Sequence, residues 1–324
     1  MPDGVAKVKD SGLAHEHWQK YFDRDEVSEI LNNTTTTMIV SGEYPVHVRI
    51  WPQPHAAPTV LIGSSLLGYG LEQARWQLPF FRAGFNVLQF DFPGIGQSGG
   101  ARGGCTVPDW IRAWDDAAAF AYDRFEGPLY GMGVAEDGLT CYYANANKPN
   151  FGAISVHVLY EHGDPDSVRY QGPLALVRVL GLFLGVAHVL RPSFTIPLKR
   201  LARYEDVFEE PGDEEQAKLL DQDPLALKVI SLRMAHSMAS KHRPRVPFEQ
   251  CRTPVQVIAS ERNKLFPYGM VKRYFDRLGG PKELITLTGK GMWGLSREFN
   301  EDYCAHAIRW FKANGAELSD QKSA

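Results

Sequence analysis

Phe85-Asn86-Val87-Leu88-Gln89-Phe90-Asp91, followed at once by Phe92-Pro93-Gly94-Ile95-Gly96-Gln97-Ser98, decides how this chain is read. The first seven residues are largely apolar and β-rich; glycine, proline and serine dominate the next seven. A buried run ending in such a cluster reads as a strand entering a tight turn. Upstream, Pro58-Thr59-Val60-Leu61-Ile62-Gly63 has the same character and runs into the small-residue loop Ser64-Ser65-Leu66-Leu67-Gly68-Tyr69-Gly70. Between the two, Trp76 to Ala83 carries apolar residues at helical spacing. Strand, helix and strand in that order predict an α/β architecture, a mostly parallel sheet with helices on both faces.

Working outward, residues 1–37 are polar and charged, with Trp18, Tyr21 and Phe22 as aromatic anchors, and predict an N-terminal helical arm. Met38 to Trp51 predicts a hairpin around Ser41-Gly42-Glu43. Strand–helix alternation reaches Gly163 and resumes at Pro254, so 38–163 and 251–316 form the expected core. Between them, 164–250 shows helical spacing over Leu174–Leu190, Leu198–Phe208, Glu214–Leu220 and Leu225–Ser240, which predicts a helical cap. A helix over Asp302–Ala313 closes the core, and 317–324 reads as a disordered tail.

Composition narrows the function. The 324 residues suit one large α/β domain carrying an inserted cap. Hydrophobic content of 44% and charged content of 23% are those of an ordinary globular protein. A net charge of −3 supplies no basic field for nucleic acid. The apolar run 173–190 is broken by Arg178 and His188 and reads as a cap helix, so no membrane insertion is expected. The N-terminus lacks a basic segment followed by an apolar core, and the expected location is cytoplasmic. Cys105, Cys141, Cys251 and Cys304 have no CxxC or metal spacing and read as structural thiols. No cofactor or metal is called for. The expected partner is a small-molecule substrate, with self-association into a homodimer left open.

The octapeptide Asp91 to Ser98 fits Asp-x-Pro-Gly-x-Gly-x-Ser, and from Pro58 to Trp310 the chain resembles the α/β-hydrolase fold family, its serine aminopeptidase and lysophospholipase-like branch. That resemblance implies a lid inserted after the sixth strand and a Ser–acid–His triad on three loops. In this chain all three positions read as replaced. Set against the family's Gly-x-Ser-x-Gly elbow, Leu129-Tyr130-Gly131-Met132-Gly133 puts the serine slot on Gly133. The segment Pro254 to Pro267 resembles the acid strand and loop, with Asn263 in the acid position. Glu283 to Gly294 resembles the last strand and histidine loop, with Met292 in the histidine position, or Trp293 if the register shifts by one. The losses read as one refitting. Asn263 keeps a polar handle without a buried charge, and Met292 fills an imidazole-sized gap with polarizable volume.

In open α/β sheets ligands bind beyond the carboxyl ends of the strands. That rule selects Ser64, Ser65 and Tyr69 after one strand, and Met132 with the Val134 amide at the elbow. After the sixth strand it selects Tyr160, Glu161 and His162, and later Asn263, Lys264, Met292 and Trp293. His162 beside Glu161 is the expected acid–base pair, with Ser65 and Tyr160 orienting substrate. Against it, neighbours on a strand point to opposite faces, and a solvated loop pair is the more ordinary reading. Glu136 and Asp137 read as first-turn partners of a helix dipole. His188 and His236 read as cap structure, and Lys264 as solvent-facing. Three functions stay open. One is a biosynthetic enzyme doing elimination, lyase or ring-forming chemistry on a mainly hydrophobic molecule without a covalent serine intermediate. The others are a hydrolase or acyltransferase with Ser65 as relocated nucleophile, and a catalytically inactive binding or scaffold protein.

Overall fold

A two-residue turn at Gly42-Glu43 joins β1 (Thr35–Ser41) to β2 (Tyr44–Trp51), with Ser41 opposite Tyr44. The computed structural model describes residues 18–70, 72–161, 163, 183–198, 210, 213–292 and 296–321. Ahead of the hairpin, α1 (Arg24–Asn33) is capped by Asp23, whose carboxylate accepts the Glu26 N–H at 2.8 Å. The strand begins at Thr35, three residues earlier than Met38, because the β-branched threonines 35–37 pair across the hairpin instead of extending the arm. Then follow β3 (Thr59–Gly63), α2 (Ala74–Arg82), β4 (Asn86–Phe90), α3 (Val107–Arg124), β5 (Leu129–Val134), α4 (Glu136–Asn147) and β6 (Ala153–His157). Strands β3 to β6 are buried throughout, as expected where helices cover both faces of a parallel sheet.

The chain next enters the expected cap region, which the described residues show to be only partly helical. Residues 183–190 are helical, while β7 (Thr195–Pro197) pairs antiparallel with β8 (Val229–Ser231). Helices α5 (Asp213–Gln222) and α6 (Leu232–Ala239) fill the rest. The helix expected over Leu225–Ser240 therefore starts only at Leu232: Val229 to Ser231 are taken by a strand, and the Ser231 hydroxyl caps α6 by accepting the Met234 N–H at 3.1 Å. Most of the patterns at Leu174–Leu190 and Leu198–Phe208 lie outside the described residues.

The core resumes with β9 (Val255–Ser260), α7 (Tyr268–Arg277), β10 (Lys282–Leu287) and α8 (Arg297–Gln321). The last helix starts five residues before Asp302 and runs through Gln321, into the segment read as a disordered tail. The eight-stranded sheet has the order β1-β2-β4-β3-β5-β6-β9-β10; β2 is antiparallel to both its neighbours, and the pairs from β4 to β10 are parallel. Helix α2 packs on α8, and α3 on α4. All four cysteines are buried and free. Among the described residues no helix is long and apolar enough to cross a membrane.

Candidate active site

The turn from β5 into α4 sets the register of the site. Gly133 lies inside β5, opposite Val156 of β6, and the sharp change of direction comes two residues later. Ala135 holds φ 53° and ψ −126°, its amide donates to the His157 carbonyl at 3.0 Å, and α4 begins at Glu136. A non-glycine residue in the left-handed region at a strand–helix junction is the strained turn on which the family pattern places its nucleophile. The matching frame is Gly133-x-Ala135-x-Asp137, which corrects the placement on Gly133. Val134 is likewise a strand residue paired with His157. The first amide past the turn is that of Glu136, not Val134.

What stands at the turn is a methyl group, and what surrounds it is acidic. Asp137 is 1% exposed, and its carboxyl occupies room left by two glycines. A Cβ on Gly63 would overlap its Oδ1, and one on Gly133 would come within 2.7 Å of its Oδ2. Burial pushes this carboxyl well above the usual range; the Val134 backbone and Trp114 indole pull the other way, but neither reaches hydrogen-bond geometry. Glu136 differs. It keeps partial solvent access while Asp137 to Ala146 are buried, and desolvation still raises its carboxyl against the pull of its own N–H. Neither was legible as more than a dipole partner, although two acids in a first turn also mark where a helix starts. Read that way, they place the turn at Ala135.

After β6 the chain turns sharply at Val158, φ 66°. For a β-branched residue this conformation costs on the order of 1–3 kcal/mol and is typical of functional loops. It leads to Tyr160, whose hydroxyl is raised by burial and by the charge of Glu136, and whose ring packs on Phe266 at 4.9 Å. Asn263, in the loop after β9, is 4% exposed. Its Oδ1 accepts the N–H groups of Leu265 at 3.0 Å and Phe266 at 2.9 Å, which fixes the amide and leaves Nδ2 buried without a hydrogen-bond partner. The loop after β10 is tied alongside: Arg262 N–H donates to Lys290 at 2.9 Å, and Gly289 N–H to Glu261 at 2.9 Å. Met292 in that loop is 6% exposed.

The remaining candidates fall elsewhere. Met132 is core, with no exposed surface. Ser64 Oγ accepts the Phe92 N–H at 2.8 Å and so ties two loops together. Ser65 Oγ accepts from Gly68 N–H and Gln73 Nε2, both at 2.9 Å, and neither partner is a base. Tyr69 turns toward the cap and donates to Asp223 at 2.7 Å. Glu161 is bound to Arg243 at 3.0 Å and Arg277 at 3.7 Å, and its carboxylate serves a surface ion pair instead of the elbow. His162 and Trp293 lie outside the described residues. His188 and His236 stack at 3.7 Å within the cap. No group of acidic, histidine and cysteine side chains among the described residues could hold a metal ion.

A family model described as serine aminopeptidase, S33, matches residues 77–292. No curated protein sequence matches the chain significantly. Among solved structures, the monoacylglycerol lipase of Paleococcus ferrophilus is similar at 18% identity and TM-score 0.65, over 83% of this chain and 99% of that one. The α/β-hydrolase GrgF of Penicillium sp. sh18 gives 16% identity and TM-score 0.67, over 87% and 99%. Epoxide hydrolase A of Mycobacterium thermoresistibile gives 14% identity and TM-score 0.60, over 86% and 98%. At such identities the likeness is one of fold.

Proposed function

We propose that this chain, which belongs to the serine aminopeptidase S33 family of α/β-hydrolases, is a non-hydrolytic enzyme. It carries out elimination, lyase or ring-forming chemistry on a mainly hydrophobic small molecule, without a covalent serine intermediate. The observation that carries this reading is Ala135 in the strained conformation of the elbow, with a methyl group in place of a nucleophile. Strain of this kind persists only when the surroundings enforce it. The turn has been kept while the group it normally presents has gone. Asn263 supports the same reading: it retains the acceptor that organises its loop but carries no charge to orient a histidine.

The reading with Ser65 as nucleophile is disfavoured, because its hydroxyl oxygen accepts two hydrogen bonds and none of its partners can take its proton. A fluorophosphonate probe tests the point. The native protein should show no labelled serine by peptide mass spectrometry, and p-nitrophenyl butyrate should be hydrolysed no faster than by buffer. Stoichiometric labelling of any serine would overturn the proposal.

A further inference from the structure

We propose that Glu136 is the catalytic acid–base group of this site, and that the Asn263 amide is the donor that binds a carbonyl oxygen of the substrate. The inference rests on the non-hydrolytic reading above and supplies the residues it lacked. Two contacts lead from Asn263 back toward the elbow: the Phe266 N–H is held at 2.9 Å by Asn263 Oδ1, and the Phe266 ring packs at 4.9 Å on Tyr160, after β6. The opposite end of that amide, Nδ2, is buried without a partner. Glu136 stands beside the strained Ala135 at the carboxyl end of β5, the neighbour of β6 in the sheet, and its charge raises the Tyr160 hydroxyl. An unsatisfied donor that is 4% exposed carries a desolvation cost, which an incoming acceptor relieves. The strain is concentrated here as well. Ala135 and Val158 are the two non-glycine residues of positive φ among those described, and Ala135 N–H bonds the residue just before Val158.

The chemistry follows from the exchange of groups. In a serine hydrolase the amide after the turn faces a developing oxyanion. Here that amide belongs to Glu136 and interacts with the Glu136 carboxyl itself. A negative oxygen from an acyl group would meet a carboxylate, so oxyanion chemistry is disfavoured and proton transfer is favoured. Glu136 acts on a carbonyl compound bearing a leaving oxygen on its β carbon. Its carboxylate takes the proton from the α carbon, and the C–H electron pair becomes the C=C bond. The C–O bond breaks, and the same carboxyl returns the proton to the departing oxygen. The net change is loss of water or an alcohol, with Glu136 restored. The titratable groups that feel this carboxyl are Asp137 on its own helix and Tyr160 after β6, and Tyr143 of α4 acts on Tyr160 in turn; among the described residues no cation lowers it.

Two probes test this without the natural substrate. Dicyclohexylcarbodiimide, an apolar reagent for protonated carboxyls, should modify Glu136 in the folded protein, and the modification should fade as pH rises above the ordinary glutamate range. The ring opening of 5-nitrobenzisoxazole reports a desolvated base: the carboxylate takes the ring C–H proton, the nitrile forms, and the N–O bond breaks to release a coloured phenolate. The rate should fall ~10²-fold or more in Glu136→Gln, whose folding is checked by circular dichroism, and stay unchanged in Glu161→Gln. Glu136 left unmodified, or a native rate no higher than that of Glu136→Gln, overturns the inference. Serine labelling by the fluorophosphonate would instead overturn the function proposed above, so the two failures are separable.

Discussion

The turn after β4 and the turn after β5 leave the same edge of the sheet, and they have kept different things. After β4, the side chains of Asp91 and Ser98 tie the octapeptide to itself and to its neighbours. Asp91 accepts the N–H groups of Gly70 at 2.6 Å and Gln97 at 2.8 Å, and Ser98 Oγ donates to the Asp91 carbonyl at 2.6 Å while accepting the His47 N–H at 2.8 Å. Gly96 has φ 55°, and a Cβ there would overlap Asp91 Oδ2. After β5, the backbone has kept its shape, but the reactive side chain is a methyl and a buried acid fills the position normally left to glycine. The first turn builds the loops and the second presents chemistry.

That contrast is open to experiment. Gly96→Val should be the most damaging change, costing on the order of 3 kcal/mol or more from strain and overlap, whereas Ala135→Ser should cost less than about 1 kcal/mol. Urea unfolding of both compares them directly, and equal losses would erase the distinction. Beneath the second turn, His157 is buried and its imidazole is pushed down to about 4. Its folded form holds the proton less readily than the unfolded chain, so stability is full above about pH 6.5 and falls as pH drops toward 4, by roughly 3 kcal/mol in all. His157→Gln should flatten that acid limb.

Asp137 works in the opposite direction. Its folded carboxyl keeps its proton to higher pH than in the unfolded chain, so its contribution is full in acid and is lost as pH rises through the raised value. Asp137→Asn should therefore gain stability over the native protein at pH 8 and little or none at pH 4. An equal gain at both would mean that the carboxyl is not held neutral. The smallest effect belongs to Glu161→Gln, which breaks partly exposed ion pairs and should cost less than about 1 kcal/mol in a thermal melt.

The octapeptide was readable because each residue answers a local demand: an acceptor at Asp91, a left-handed backbone at Gly96, a two-way hydroxyl at Ser98. The elbow was harder. Gly131, Gly133 and Ala135 are alternate small residues, two overlapping frames fit equally well, and only the helix start separates them. In the cap, Val229-Ile230-Ser231 suits a helix as well as a strand, and its pairing partner Thr195–Pro197 lies far away in sequence. Glu161 and Tyr69 lie in the loops after β6 and β3, but their directions depend on Arg243, Arg277 and Asp223, which sequence order does not bring together.

Asp223 has a further consequence. One carboxylate oxygen of this cap residue receives two hydroxyls at 2.7 Å, from Tyr21 in the N-terminal arm and from Tyr69 in the loop after β3. Three stretches of chain that are remote in sequence are therefore pinned at a single atom, as roof timbers are at a ridge peg. A shortened protein beginning at Thr35 would lose more than a polar extension: it would remove the hydroxyl by which the arm holds Asp223 of the cap.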